Sequence, residues 1–133
     1  MANGIVRVGL VGAGGNTRLR HAPGLRAQDG VEIVSVANRS RESGERFAGE
    51  FEIPKVYDNW VDLINADDTD AICIGTWPYM HRTLTLAALA ANKHVLCEAR
   101  MAMNAKEAHD MLDASRLKPN LVAQIVPAPS TLD

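Results

Sequence analysis

The stretch Ile5-Val6-Arg7-Val8-Gly9-Leu10-Val11-Gly12-Ala13-Gly14-Gly15-Asn16-Thr17 decides how the chain reads. Residues 5–11 are apolar on both faces, the pattern of a central parallel strand covered by helices on either side. The strand runs directly into glycines. Gly12 permits a tight turn, and Gly14 lets the main chain approach a ligand closely. The free N–H groups at the start of a following helix, from Gly15 and Asn16 onward, would then face an anion such as a pyrophosphate. Gly12 and Gly14 fill the first two positions of a G-x-G-x-x-G fingerprint, and Thr17 stands in the third. The alternative is a sterically required turn without a ligand. What favours the ligand is the context, a buried first strand leading into a helix in an alternating chain.

Working outward, the same doubly apolar pattern recurs at Val31–Ala37, Ala71–Gly75, Val95–Cys97 and Leu121–Val126, with Lys55–Tyr57 a weaker strand. Between these runs lie segments of helical period. Ser40 can cap a helix reaching about Glu50, and Asp58 can cap Trp60–Asn65. A helix over His81–Asn92 carries Leu84, Ala87, Ala88 and Ala91 on one face. Asn104 and Glu107 form a capping-box variant for a helix that Pro119 stops. Pro23 suits a first helical turn, which predicts an enlarged loop over Asn16–His21. Arg18 and His21 would then border the phosphate site or be merely solvated. The alternation predicts an α/β, three-layer Rossmann fold. Its parallel sheet would have six strands in the order 3-2-1-4-5-6, with right-handed crossovers and helices on both faces. Residues 1–126 form that domain, and 127–133, opening Pro127-Ala128-Pro129-Ser130, read as the start of a linker to a C-terminal substrate domain.

Composition narrows the classes further. The chain has 133 residues, a formal net charge of −2, 47% hydrophobic and 23% charged residues. That is one domain's length, with no electrostatic reason to expect nucleic acid or an anionic membrane. No apolar run approaches a bilayer span, and the N-terminus lacks a signal peptide's plan. Cys73 and Cys97 lie in apolar runs without metal-ligand spacing, so they read as buried thiols of a cytoplasmic protein with no metal site. Asp67-Asp68-Thr69-Asp70 reads as a turn at the end of the sheet away from the glycines.

The end of the second strand bears on the dinucleotide. A cofactor without a 2′-phosphate usually meets a carboxylate about 20 residues past the glycines. Here the chain has Asn38-Arg39-Ser40-Arg41. Arg39, Ser40 and Arg41 could hold a 2′-phosphate through guanidinium and hydroxyl donors, which favours NADP over NAD. Alternatively Arg39 stacks on adenine and Arg41 is solvated, which fits either cofactor. Two further segments reach the same edge: Gly75-Thr76-Trp77-Pro78-Tyr79-Met80-His81 after the strand at 71–75, and Glu98-Ala99-Arg100 after the strand at 95–97.

With these residues in place, the chain resembles the glucose–fructose oxidoreductase, inositol dehydrogenase and MocA (Gfo/Idh/MocA) family over nearly its whole length. The glycine turn is followed by His21. Thr76 and His81 have the separation of the family's T-P-N-x-x-H loop, and Asn92-Lys93-His94-Val95-Leu96-Cys97-Glu98 is similar to its A-G-K-H-V-x-x-E run. The resemblance implies NAD(P) and hydride transfer on a sugar, inositol or related polyol. It places Thr76, Trp77, His81 and Glu98 around the nicotinamide. His81 could instead bond its own loop, and Glu98 could close a salt bridge. The family's E-K-P motif is Glu98-Ala99-Arg100 here, so its lysine is absent, and Glu98, Arg100 and His81 are the remaining candidates for catalysis. Alanine moves no proton, and a guanidinium stays protonated. Losing the proline also removes an easy cis peptide, since a non-proline cis bond costs about 3–4 kcal/mol. The family's second domain supplies most substrate contacts. The resemblance therefore implies the cofactor half of an oxidoreductase, or else a non-catalytic dinucleotide-binding module, with an exposed apolar edge open to self-association.

Overall fold

The computed structural model describes residues 4–127. Six parallel strands form one sheet in the order β3-β2-β1-β4-β5-β6. They are β1 (Val6–Val11), β2 (Val31–Ala37), β3 (Lys55–Val56), β4 (Ala71–Ile74), β5 (His94–Cys97) and β6 (Ala123–Ile125). The helices are α1 (Ala22–Arg26), α2 (Arg41–Phe51), α3 (Trp60–Asn65), α4 (His81–Ala90) and α5 (Ala105–Arg116). This is the expected Rossmann order, and its switch point lies between β1 and β4. The linker expected over 127–133 falls almost wholly outside the described residues.

Each face of the sheet buries its own core. One cluster gathers Val11, Leu63, Ile64, Ile72, Ile74, Leu84, Leu89 and Cys97 beneath α3, α4 and α5. The other gathers Val8, Leu10, Ala22, Val36, Phe47 and Cys73 beneath α1 and α2. Side chains alternate across a strand, so adjacent Leu10 and Val11 serve opposite cores, which is why β1 needs apolar residues on both faces. β6 departs from the expected doubly apolar pattern. It is the sheet's edge, and Ala123 and Gln124 are exposed.

Caps explain most helix starts, and some differ from expectation. Ser40 caps α2 by accepting from Ser43 N–H at 3.2 Å. Asn59, not Asp58, caps α3, accepting from Asp62 N–H at 2.9 Å. Asn104 accepts from Glu107 N–H at 2.9 Å, and Glu107 accepts from Met103 N–H at 3.0 Å. α4 stops at Ala90, and Asn92 takes φ +62°, a left-handed residue just past the helix.

The largest correction concerns 16–21. The expected loop is helical, with a π-helical turn over Thr17–His21 leading into α1. Pro23 does sit in α1's first turn, as expected. The wider turn changes which side chains share a face. Asn16 and His21 are five residues apart and would diverge on an α-helix, yet their side-chain nitrogens lie 3.5 Å apart. The peptide between Ala99 and Arg100 is cis, contrary to the reading that losing the proline removes it.

Candidate functional site

The carboxyl ends of β1, β2 and β4 open onto a cleft of about 650 Å³. Its walls include Gly12, Ala13 and Gly14 from the first turn, Asn38 and Arg39 beyond β2, and Thr76 and Trp77 beyond β4. The strand order brings these distant segments together, since β2 and β4 flank β1.

The glycines do different work. Gly12 has φ +79°, and a Cβ there would lie 2.5 Å from Thr76 Cγ2 and 2.8 Å from Thr76 N. It is a structural requirement of the close β1–β4 turns. A Cβ on Gly14 or Gly15 would meet nothing within 4 Å. Those positions leave open the approach that a pyrophosphate needs over a helix's first N–H groups, so the cradle fits the group. Sequence reasoning missed Gly75, where a Cβ would lie 2.5 Å from Thr17 Oγ1 and 2.7 Å from Gly12 O. Thr17, standing in the fingerprint's third glycine position, is buried, and Gly75 makes room for it. The signal was the Thr itself: a missing small residue calls for one on the facing strand.

Beyond β2 the polar residues divide. Asn38 turns inward: its Oδ1 accepts from Ala13 N–H at 2.7 Å, and its Nδ2 donates to Ala13 O at 3.2 Å and Ser43 Oγ at 3.0 Å. Arg41 donates to Glu45 at 3.0 Å and to Asp58 at 2.9 Å. Ser40 is occupied as the α2 cap. Arg39 lines the cleft with no ion-pair partner among the described residues. Arg18 does not border the turn's open side. It pairs with Glu50 at 2.9 Å and lies over the Phe47 ring.

A second cluster sits beside the cleft. The Glu98 carboxylate accepts from Asn16 Nδ2 at 2.6 Å and from His21 Nε2, and its other oxygen accepts from Ala99 N–H at 3.2 Å. Burial opposes ionisation of Glu98, but the hydrogen bonds from His21 and Asn16 outweigh it and hold the carboxyl below its ordinary range. His81 is fully buried. Its Nδ1 lies 2.5 Å from Arg100 O and its Nε2 3.0 Å from Thr76 O, so the ring brackets the β4 and β5 loops. A neutral imidazole can donate to only one of these carbonyls. The side chain of Ala99 offers no polar group, and the exposed Arg100 has no ion-pair partner among the described residues. Trp77 and Tyr79 are 78% and 61% exposed at the cleft's rim. Both thiols are buried, and burial pushes the Cys73 thiol up to about 12 and the Cys97 thiol up to about 11, with the nearby Glu98 charge adding to each rise. Among the described residues, no group of three or more His, Cys, Asp or Glu could hold a metal ion, and no helix is long and apolar enough to cross a membrane.

A Rossmann sheet with an open glycine turn at its switch point defines a dinucleotide-binding domain. The oxidoreductase family with an NAD-binding Rossmann fold, Gfo/Idh/MocA, matches residues 6–125, and the chain belongs to it. It is an NAD(P)-binding oxidoreductase domain. Over 110 residues it is 39% identical to the 1,5-anhydro-D-fructose reductase of Ensifer adhaerens, covering 83% of this chain and 33% of that protein. It is 35% identical over 113 residues to the trans-1,2-dihydrobenzene-1,2-diol dehydrogenase of Bos taurus, covering 85% and 32%. Among solved structures it is similar to the 3-ketoreductase KijD10 of Actinomadura kijaniata in complex with NADP and TDP-benzene. There the TM-score is 0.83 at 26% identity, over 90% of this chain and 37% of that one. The myo-inositol 2-dehydrogenase of Lactobacillus plantarum gives a TM-score of 0.83 at 26% identity, covering 92% and 36%. The chain thus spans about a third of the length of the curated relatives it matches.

Proposed function

We propose that this chain is the cofactor half of an NADP-preferring oxidoreductase that acts by hydride transfer on a sugar, polyol or related alcohol or carbonyl compound. The observation carrying the cofactor preference is Arg39, a guanidinium facing the cleft without an ion-pair partner, where a carboxylate would favour NAD. The NADP bound by KijD10 and the reductase and dehydrogenase activities of the relatives support it. In this reading the N–H groups of Gly14, Gly15 and Asn16 hold the pyrophosphate, Arg39 takes the 2′-phosphate, and Thr76 and Trp77 border the nicotinamide end. The bound cofactor supplies the hydride donor or acceptor. Glu98 keeps Asn16 and His21 in place, and His81 fixes the loop that carries Thr76. Substrate contacts and proton transfer belong to a second domain beyond 127–133, against which the exposed Trp77 and Tyr79 would pack. The buried thiols suit a cytoplasmic setting.

Ala99 favours a second reading, a dinucleotide-binding module without catalysis, because the motif's ammonium group is gone. Titration calorimetry with NADPH and with NADH tests the binding proposal. Arg39→Ala is expected to weaken NADPH roughly 10- to 100-fold, the range for a lost charged hydrogen bond, and to leave NADH unchanged. Equal affinity for both cofactors in the unaltered chain would remove the NADP assignment. Turnover of a polyol by the protein with its second domain, against none with binding intact, separates the catalytic reading from the second one.

A further inference from the structure

We propose that Asn38 is a positioning residue that fastens the glycine turn and so fixes which N–H groups remain for the pyrophosphate; this rests on the dinucleotide reading above. Its side chain does not act as a ribose ligand. The amide forms a two-way bridge with a single peptide-bearing residue: Oδ1 accepts from Ala13 N–H at 2.7 Å, and Nδ2 donates to Ala13 O at 3.2 Å. The remaining donor capacity goes to Ser43 Oγ at 3.0 Å, in the first turn of α2. Ser43 N–H is itself held by the Ser40 cap at 3.2 Å. One side chain therefore ties the end of β1 to the start of α2.

The bookkeeping of the turn's N–H groups gives the consequence. Gly12 N–H donates to Ala37 O at 3.0 Å, and Ala13 N–H goes to Asn38. Both leading donors are thus committed to the β2 side. Gly14, Gly15 and Asn16 follow, at the start of the helical stretch over 15–26, where N–H groups have no preceding carbonyl of the helix to reach. The side of the turn over Gly14 and Gly15 is open to 4 Å and beyond. Asn38 holds the closed side still while the open side is left for an anion. A carboxylate at position 38 would keep the bond from Ala13 N–H, but it would set a negative charge against Ala13 O and lose the donor to Ser43. That position then orders the turn through an amide, and contact with the adenosine half passes to the next residue, Arg39.

The test compares Asn38→Ala and Asn38→Asp with the unaltered chain by calorimetry against NADPH, NADH and 2′-AMP, which carries the adenosine and 2′-phosphate without a pyrophosphate. The proposal expects Asn38→Ala to weaken NADPH and NADH alike, by tenfold or more, and to leave 2′-AMP within twofold. Asn38→Asp, which keeps the acceptor for Ala13 N–H and so protects folding, is expected to weaken both dinucleotides as well. A loss for 2′-AMP equal to that for NADPH, or a gain of NADH affinity in Asn38→Asp, would make Asn38 a direct adenosine ligand and overturn the proposal. Amide hydrogen exchange read by NMR needs no ligand. Ala13 N–H is expected to be protected in the unaltered chain and at least tenfold less protected in Asn38→Ala. Unchanged protection sinks the clamp even if cofactors bind. Absence of any dinucleotide binding alongside a loss of Ala13 protection sinks the cofactor reading and leaves the clamp standing.

Discussion

The two ends of the sheet are built differently. At the amino end, ahead of β4 and β5, the Arg7 and Lys93 cations are matched within the chain. Arg7 donates to Asp70 through Nε at 3.1 Å, Nη2 at 3.0 Å and its backbone N–H at 2.9 Å. Lys93, only 8% exposed, directs its ammonium to Ala66 O at 2.7 Å, Thr69 Oγ1 at 3.1 Å and Thr69 O. At the carboxyl end, Arg39 and Arg100 have no ion-pair partner among the described residues, Gly14 and Gly15 face open space, and Trp77 and Tyr79 are exposed. Burying a charge is costly unless it is paired, so the amino end had to be completed from within. The carboxyl end pairs some of its charges, Glu98 with His21 and Arg41 with Asp58, but leaves Arg39, Arg100 and the open side of the turn at Gly14 and Gly15 unmatched among the described residues. In the proposed reading, the difference separates residues that hold the fold from residues left for a ligand.

The sharpest way to break that separation lies within the glycine turn, where both kinds stand two residues apart. Gly12→Val would put a β-branched residue at φ +79° and drive its Cβ to 2.8 Å from a backbone nitrogen of Thr76. We expect a loss of roughly 2–4 kcal/mol of stability, read from urea denaturation midpoints. The Cβ of Gly14→Val meets nothing within 4 Å, and the variant should stay within about 0.5 kcal/mol of the unaltered chain. Its effect should fall on NADPH, with affinity weakened roughly 100-fold, about 2.7 kcal/mol, by calorimetry. If Gly14→Val unfolded the chain as Gly12→Val does, the turn's open side would be structural too, and the contrast would collapse.

How much of this was legible in the sequence follows from the range over which each feature is determined. The strands and both cores follow from local runs, because a doubly covered strand such as Val6–Val11 must be apolar on both faces. The glycine turn and the place of Arg39 on the cleft wall were legible for the same reason: one short segment carries each signal. What escaped depended on contacts between distant segments. The π-helical turn that brings Asn16 and His21 together is anchored by Glu98, 77 residues from His21. No local pattern announces that, and Pro23 pointed to a loop. Arg41 reads from sequence as a phosphate ligand or a solvated residue, and neither reading includes its pairing with Asp58, 17 residues on. The acidic run at 67–70 read as a simple turn, while Asp70 reaches back 63 residues to Arg7. Asn38 heads the stretch read as a cofactor-binding candidate, but its inward direction, onto Ala13, is a property of the β1–β2 pairing.

The amino end offers the smaller but cleaner test, because its effect should follow pH and leave the ligand alone. Hydrogen bonds from the Arg7 side chain hold the Asp70 carboxyl well below its ordinary value of 3.8, against the opposing effect of burial and with further help from the Arg7 backbone N–H. A carboxyl whose folded value is depressed binds fewer protons in the folded state than in the unfolded one near that pH. It therefore contributes stability that is fully present above its ordinary value and drains away as pH falls through the folded value. Asp70→Asn removes the charge at every pH. The variant should be less stable than the unaltered chain at pH 7, and its stability should fall less steeply between about pH 5 and pH 2, so that the two curves converge at the acid end. Urea midpoints across that range would show it. Calorimetry at pH 7 should find NADPH affinity unchanged, since Asp70 stands at the opposite end of the sheet from the cleft. Parallel stability curves would mean that the Arg7–Asp70 pair does not set the acid limb. A changed NADPH affinity would mean that the two ends are coupled through β1 and β4, and that the division between holding the fold and receiving a ligand is too simple.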